Sequence, residues 1–255
     1  MSERPRRFPL ALGQVGSTVQ RDRSRGVEPE KVTRGPGLDL QAVRSRMVQR
    51  LRAEGVTCEP VLAALASVPR HHFVDSGLVA QAYEDTSLPI GLDQTISKPS
   101  VIARMLSLLF EGREAMQSAS LGRVLEIGTG CGYQAALLSQ LARQVVSVER
   151  LRPLFDRARN NLAPLRSDKL RLVYADGRLG HAPNAPYDAI ICAAGGDGVP
   201  GAWLEQMAVG GRLVAPTRSA AGVGQVLLVI DRNAEGWSRQ SYEAVNFVPL
   251  KSGTA

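Results

Sequence analysis

Apolar residues in the first part of the chain recur at helical spacing. In L-D-L-Q-A-V-R-S-R-M-V-Q-R-L-R-A-E-G, residues 38–55, Leu40, Val43, Met47, Val48 and Leu51 fall on one face and Gly55 follows as a stop. The run P-V-L-A-A-L-A-S-V predicts a second, short helix ending before Pro69, because the residue ahead of a proline is pushed out of the helical region. A stretch punctuated by glycine and proline follows, up to residue 99. A further helix is expected over 99–110, with Val101, Ile102, Met105, Leu106 and Leu109 turned inward. Beyond a polar gap the pattern changes to short apolar runs separated by amphipathic ones. R-V-L-E-I-G, Q-V-V-S-V-E, L-R-L-V-Y-A-D, Y-D-A-I-I-C-A-A, R-L-V-A-P and Q-V-L-L-V-I-D read as strands. Y-Q-A-A-L-L-S-Q-L-A, L-F-D-R-A-R-N-N-L and W-L-E-Q-M-A-V-G-G read as helices, the last with a glycine stop.

Strands alternating with helices predict an α/β fold, a doubly wound Rossmann-like parallel sheet carrying an N-terminal helical extension. The last strands have only short polar connections, so the sheet is expected to finish with an antiparallel pair. The length, 255 residues, suits one large domain with appendages.

Composition narrows the classes. No apolar run approaches the roughly 18 residues of a membrane span, and the arginine-bearing N-terminus has no apolar core behind it, so a secretory signal is a poor fit. Cys58, Cys131 and Cys192 are far apart, and His71, His72 and His181 have no metal-ligand spacing, so neither a disulfide framework nor a metal site is expected. A reducing cytoplasm is the expected compartment. The net charge of +7 is uneven: residues 1–37 hold eight Arg/Lys and four Asp/Glu, which is +4 of the total. That segment reads as a basic tail of the disordered compositional class, able to touch an anionic partner.

The strongest chemical signal is V-L-E-I-G-T-G-C-G-Y, residues 124–133. A strand runs into Gly128, Thr129, Gly130 and Gly132 and then into a helix, a turn that lets a ligand approach the backbone. A dinucleotide site has the spacing G-x-G-x-x-G; here it is G-x-G-x-G, and Glu126 precedes it. A carboxylate there repels a pyrophosphate and suits an amino-bearing or cationic ligand. Glu149 ends the next strand, where an acid accepts ribose hydroxyls, and Asp176 ends the third, within reach of an adenine amino group. Three acids at successive strand ends point to S-adenosyl-L-methionine, which has an amino group and a sulfonium but no phosphate. An NAD site or a fold without ligand are the competing readings.

Beyond this motif the chain resembles the protein-L-isoaspartate O-methyltransferase family. The resemblance is carried by V-P-R-H-H-F-V at 68–74, A-Y-E-D-T-S-L-P-I-G-L-D-Q-T-I-S-K-P at 82–99, V-L-E-I-G-T-G-C-G-Y-Q-A-A at 124–136, V-V-S-V-E-R at 145–150, G-G-R-L-V-A-P at 210–216 and F-V-P-L at 247–250. It covers roughly 40–250 and leaves out 1–37. It implies an S-adenosylmethionine-dependent methyltransferase fold over 38–255, with helices and a substrate segment in 38–110 and the cofactor sheet in 121–255. It also implies a reaction: a methyl group passes to the free α-carboxylate of an L-isoaspartyl residue, or to the side chain of D-aspartate, in damaged proteins. The ester then collapses to a succinimide that reopens as normal aspartate.

The resemblance likewise assigns residues. Ser97 orients the substrate carboxylate, although from Q-T-I-S-K-P-S alone it reads first as a helix cap. Thr95 and Ile96 line the cofactor or peptide cleft. Glu126 stands at the entrance of the glycine loop, Glu149 takes the ribose, and Asp176 with Gly177 the adenine side. Thr217 and Gln225 close over the cofactor, and Phe247 and Val248 meet the substrate backbone. Asp85 reads as structural. Two departures stand out: Lys98 where the family commonly has glutamine, and G-G-D-G-V-P at 195–200 with Asp197 in place of a glutamate. A nucleic-acid methyltransferase is disfavoured. The place after the fourth strand reads C-A-A-G-G-D-G, and Cys192 sits in an apolar strand as a core residue. A non-catalytic adaptor that kept the fold is the rival from another class. No membrane or specific nucleic-acid partner is expected, and nothing demands more than a monomer.

Overall fold

A computed structural model describes residues 39–255; the expected basic tail lies outside the described residues. Helix α1 (Leu40–Ala53) starts where Asp39 accepts the N–H groups of Gln41 and Ala42 at 3.1 Å each, a cap of the kind worth about 1 kcal/mol. It buries Met47 and Leu51, and Gly55 beyond it takes a positive φ. Helix α2 (Glu59–Ser67) buries Val61, Leu62, Ala64 and Leu65 and stops before Pro69 as expected. The segment up to residue 99 holds more than turns: β1 (Leu88–Gly91) and β2 (Gln94–Ile96) pair as an antiparallel hairpin. Helix α3 (Pro99–Phe110) buries Ile102, Met105, Leu106 and Leu109 and leaves Val101 half-buried. A short helix, α4 (Arg113–Ser118), fills the polar gap.

The remaining elements alternate up to Tyr174 and end in consecutive strands. They are β3 (Arg123–Ile127), α5 (Tyr133–Leu141), β4 (Gln144–Glu149), α6 (Arg152–Leu162), β5 (Leu170–Tyr174), β6 (Tyr187–Cys192), α7 (Gly201–Glu205), β7 (Met207–Arg218), β8 (Gln225–Arg232) and β9 (Trp237–Val245). Seven strands form one sheet in the order β5-β4-β3-β6-β7-β8-β9. The pairings from β5 to β7 are parallel, and β7–β8 and β8–β9 are antiparallel, so the expected antiparallel ending is one strand longer than a pair. The sheet is covered on both faces, which is why its central strands are apolar at most positions on either face. Along β3, Leu125 and Ile127 join the core formed with Trp203, Met207 and Leu213, while Val124 joins the larger core under α1, α2, α3 and α5.

W-L-E-Q-M-A-V-G-G corrects one reading. The helix stops at Glu205, and Met207 begins β7, pairing with Tyr187 while its side chain is fully buried. The bulged register there and Gly210 at φ +86° belong to a strand entry; tertiary pairing outweighs the helical propensity of Leu, Glu, Gln and Met. Among the described residues no helix is long and apolar enough to cross a membrane.

Candidate active site

The strand order reverses at β3, whose neighbours β4 and β6 lie on opposite sides; in open α/β sheets a crevice forms at that point beyond the carboxyl ends. A cavity of about 350 Å³ opens there. The glycine loop after β3 forms part of its wall, and Gly128, Gly130 and Gly132 all have positive φ, +89°, +57° and +94°. Gly132 also faces α6 so closely that a Cβ would lie 2.9 Å from Leu162. The loop is tied down by Asn161, which donates to the Cys131 carbonyl at 2.9 Å, and by the Thr129 and Ser147 hydroxyls, 2.6 Å apart.

Glu149 ends β4 with its carboxylate at the cavity wall, accepting three backbone N–H groups: Gly130 at 2.9 Å, Arg150 at 2.8 Å and Leu151 at 2.9 Å. A carboxylate has about four acceptor positions, so capacity remains for a ligand hydroxyl. Gly177 reaches the cavity, but Asp176 does not line it. Its carboxylate accepts from Arg178 N at 2.8 Å and from Gly253 N at 2.6 Å.

Glu126 departs from the expectation. It is fully buried on the helix-covered face of β3, outside the cavity lining, so it does not stand at the entrance. Its Oε2 accepts the Ser147 hydroxyl, and its Oε1 has no partner among the described residues. Burial pushes its carboxyl up to about 8; the Ser147 hydroxyl and the Gln134 amide oppose the shift and the Glu149 charge reinforces it. Glu126 is therefore largely protonated at neutral pH, and its link to the cavity wall runs through the Ser147 and Thr129 hydroxyls.

Thr217 and Gln225 also lie outside the lining, so neither closes directly over it. Gln225 instead clamps the F-V-P-L segment: its Oε1 accepts from Phe247 N at 2.8 Å and its Nε2 donates to Phe247 O at 3.2 Å. Gly195 runs beside that segment, donating to Val248 O and accepting from Leu250 N, both at 2.8 Å. A Cβ on Gly195 would lie 2.3 Å from the Gln225 amide, which explains the extra glycine in the departing loop. Asp197 faces away, paired with Arg218 at the surface. Val248 lines the first cavity and Phe247 a second one.

That second cavity, of about 820 Å³, is bordered by α1, α3 and β9. Thr95, Ile96 and Ser97 line the first cavity, and Ser97 lines both. Ser97 does not cap α3. Lys98 holds the N-cap position without a side-chain bond, and the capping is done from a distance by Asp85, which accepts Ser100 N and the Ser100 hydroxyl, each at 2.8 Å. Burial pushes the Asp85 carboxyl up, but the two Ser100 donors and Lys98 outweigh it and hold it below its ordinary value. The Lys98 ammonium sits 3.6 Å from Asp85 at the mouth of the second cavity. Among the described residues the Ser97 hydroxyl has no hydrogen-bond partner. Asp85 reads in sequence as structural and Gln225 as closing over the cofactor, but their partners, and the contact of Arg70 with the Ser97 carbonyl, carry no local signature, so sequence reasoning did not find these contacts.

Cys192 is buried with its thiol pushed up to about 12 by desolvation, which makes it inert packing. No cluster of three or more metal-ligating residues occurs among the described residues. The wall residues fit an adenosyl cofactor: a glycine loop that exposes backbone and carries no cation of its own, and an acid with a free acceptor position at the second strand end; the cations of the lining, Arg150 and Lys251, lie outside that loop.

Comparison with known proteins agrees. The family "Protein-L-isoaspartate(D-aspartate) O-methyltransferase" matches residues 42–255. A "Protein-L-isoaspartate O-methyltransferase" of Methylibium petroleiphilum is 63% identical over 235 residues, covering 91% of this chain and 84% of that protein. One of Leptothrix cholodnii is 56% identical over an alignment covering 100% of this chain and 97% of that protein. A solved "protein-L-isoaspartate O-methyltransferase" superposes with a TM-score of 0.72 at 27% identity, covering 82% of this chain and 66% of that one. The chain belongs to the protein-L-isoaspartate(D-aspartate) O-methyltransferase family.

Proposed function

We propose that the chain repairs damaged proteins, with the cofactor in the smaller cavity, the peptide in the larger one and Ser97 at their junction. Its reaction is methyl transfer from S-adenosyl-L-methionine to the free α-carboxylate of an L-isoaspartyl residue, or to the side-chain carboxylate of D-aspartate. The carrying observation is that Ser97 borders both cavities with its hydroxyl released from capping.

When bound, the cofactor supplies a methyl group already activated by a positive sulfur. The protein then needs no base, since a carboxylate of pKa near 4 is ionised at pH 7. Its task is alignment, and positioning can supply about 7–11 kcal/mol of a barrier. Glu149 holds the ribose, Thr129 and the glycine loop shape the methionine side, and Gly177 borders the adenine side. Ser97 orients the carboxylate, and the Gln225-clamped segment at Phe247 and Val248 offers backbone groups to the peptide. Contact through backbone suits a substrate class defined by damage rather than by sequence.

Residues 38–255 form the catalytic domain in this reading. The chain works in the cytoplasm as a monomer without a specific nucleic-acid partner. The +3 net charge outside residues 1–37 supports the lack of a nucleic-acid partner, and the three unpaired cysteines, Cys58, Cys131 and Cys192, support the reducing compartment. The test is methyl incorporation into an isoaspartyl peptide beside its normal aspartyl twin. Labelling of the first alone is expected; equal labelling, or labelling of RNA only, would sink the reading.

A further inference from the structure

Arg70 is fully buried, yet no carboxylate pairs with it among the described residues. Its guanidinium lies 5.0 Å from the centroid of the Tyr133 ring, and desolvation lowers its proton affinity. Two of its donors are committed to backbone: Nε donates to the Ala82 carbonyl and Nη2 to the Ser97 carbonyl, both at 2.8 Å. Its Nη1 has no partner. A buried cation left without a counter-charge is costly and is kept where its geometry matters.

The carbonyl it holds is a special one. The β1–β2 ladder ends with Leu88 opposite Ile96, one residue before Ser97. The first carbonyl accepting within α3 is that of Lys98, bonded by Ile102 N at 3.2 Å. Ser97 O thus falls between strand and helix, with neither to accept for, and Arg70 occupies it. The same planar fork reaches Ala82, at the head of the stretch that leads through Asp85 into the hairpin. One rigid group therefore ties the start of this stretch to its end, at the residue that borders both cavities.

We propose that Arg70 is a positioning residue for methyl transfer: by clamping the Ser97 carbonyl to Ala82 it sets the direction of the Ser97 hydroxyl at the junction of the two cavities. This rests on the assignment of Ser97 to the substrate carboxylate. The planar fork is what the geometry uses, so a point charge on a flexible stem is no substitute.

The test is a double-mutant cycle of Arg70→Lys and Ser97→Ala on the full chain, with Arg70→Gln as a second single variant. Methylation of an isoaspartyl peptide is followed as kcat and KM, and S-adenosylhomocysteine binding by calorimetry. Arg70→Lys is expected to lower kcat about 100-fold, the size of effect a 1 Å misplacement produces, with homocysteine-product affinity within about twofold of the parent. In the Ser97→Ala background the same change should cost little, because the two residues act as one unit. Losses that multiply in the double variant, or an unchanged kcat beside a lowered melting temperature, would overturn the proposal. Failure of both Arg70 variants to bind S-adenosylhomocysteine would overturn it too, since Arg70 would then serve folding alone. If the parent chain itself leaves the isoaspartyl peptide unmethylated, the underlying assignment fails instead.

Discussion

At the scale of single residues, the ambiguity in Q-T-I-S-K-P-S is resolved by a side chain 12 positions upstream of Ser97. A hydroxyl just before a proline-started helix looks like a cap, and only the fold reveals that Asp85 does the capping. Ser97→Ala is therefore expected to lower kcat by about 100-fold or more through lost alignment while leaving the melting temperature unchanged; a cap would have shown the opposite. Lys98 has a half-exposed ammonium 3.6 Å from Asp85, a pair of the kind worth no more than about 1 kcal/mol. Lys98→Gln should leave stability nearly intact and raise the peptide KM a few-fold, at most about fivefold, at low salt, with the difference fading as salt screens the charge. Glu126 was legible as an acid beside the glycine loop but not as a buried one, because its burial comes from packing against residues distant in sequence. Its carboxyl rises from an ordinary 4.5 to about 8 on folding. Between those values the folded chain holds a proton that the unfolded chain has lost, so this group's contribution to stability falls as pH rises across that window. Thermal melts should show Glu126→Gln gaining on the parent from pH 5 to pH 8 and holding a constant difference above that.

At the scale of elements, the parallel core was readable because apolar strand runs alternate with helical ones from β3 to α6, a signal that repeats along the chain. The β1–β2 hairpin was not. Its strands are four and three residues long, and Leu92 and Asp93 turn through positive φ without the Asn-Gly or Asp-Gly pair that marks such a turn. The misread start of β7 has the same origin, since its pairing partner Tyr187 lies 20 positions away in sequence. The 195–200 loop, a departure from the family pattern in sequence, is packed between β7 and the F-V-P-L segment, with Gly195 pressed against Gln225. Gly195→Ala should dislodge the Gln225 amide and cost about 1–3 kcal/mol of stability for two broken hydrogen bonds in a part-buried place. Because the clamp holds Phe247 and not the glycine loop, peptide KM is expected to rise while S-adenosylhomocysteine affinity, read by calorimetry, stays close to that of the parent.

At the scale of the whole molecule, the sequence divides by charge and the family match divides it at nearly the same place. Residues 1–37 carry +4 of the +7, and the match begins at residue 42. Among the described residues, the buried members of both hydrophobic cores run from Met47 to Ile230, and the walls of the two cavities come from residues 51–251. The alignment to the Leptothrix cholodnii relative nevertheless spans the whole chain, so the basic segment has a counterpart there. Composition alone made the segment look separable. Removing residues 1–37 should then leave the melting temperature, the S-adenosylhomocysteine affinity and kcat/KM for a short isoaspartyl peptide unchanged. For a domain of this size a shift of about 2–4 °C corresponds to 1 kcal/mol, so a fall beyond that range would mean that the segment packs on the domain after all. What should change is the response to salt with an acidic protein substrate. The removed charge is sequence-independent attraction, screened over about 10 Å at 0.1 M ionic strength. The full chain is therefore expected to lose more of its apparent affinity than the truncated one as salt is raised, and the two should converge once screening is complete.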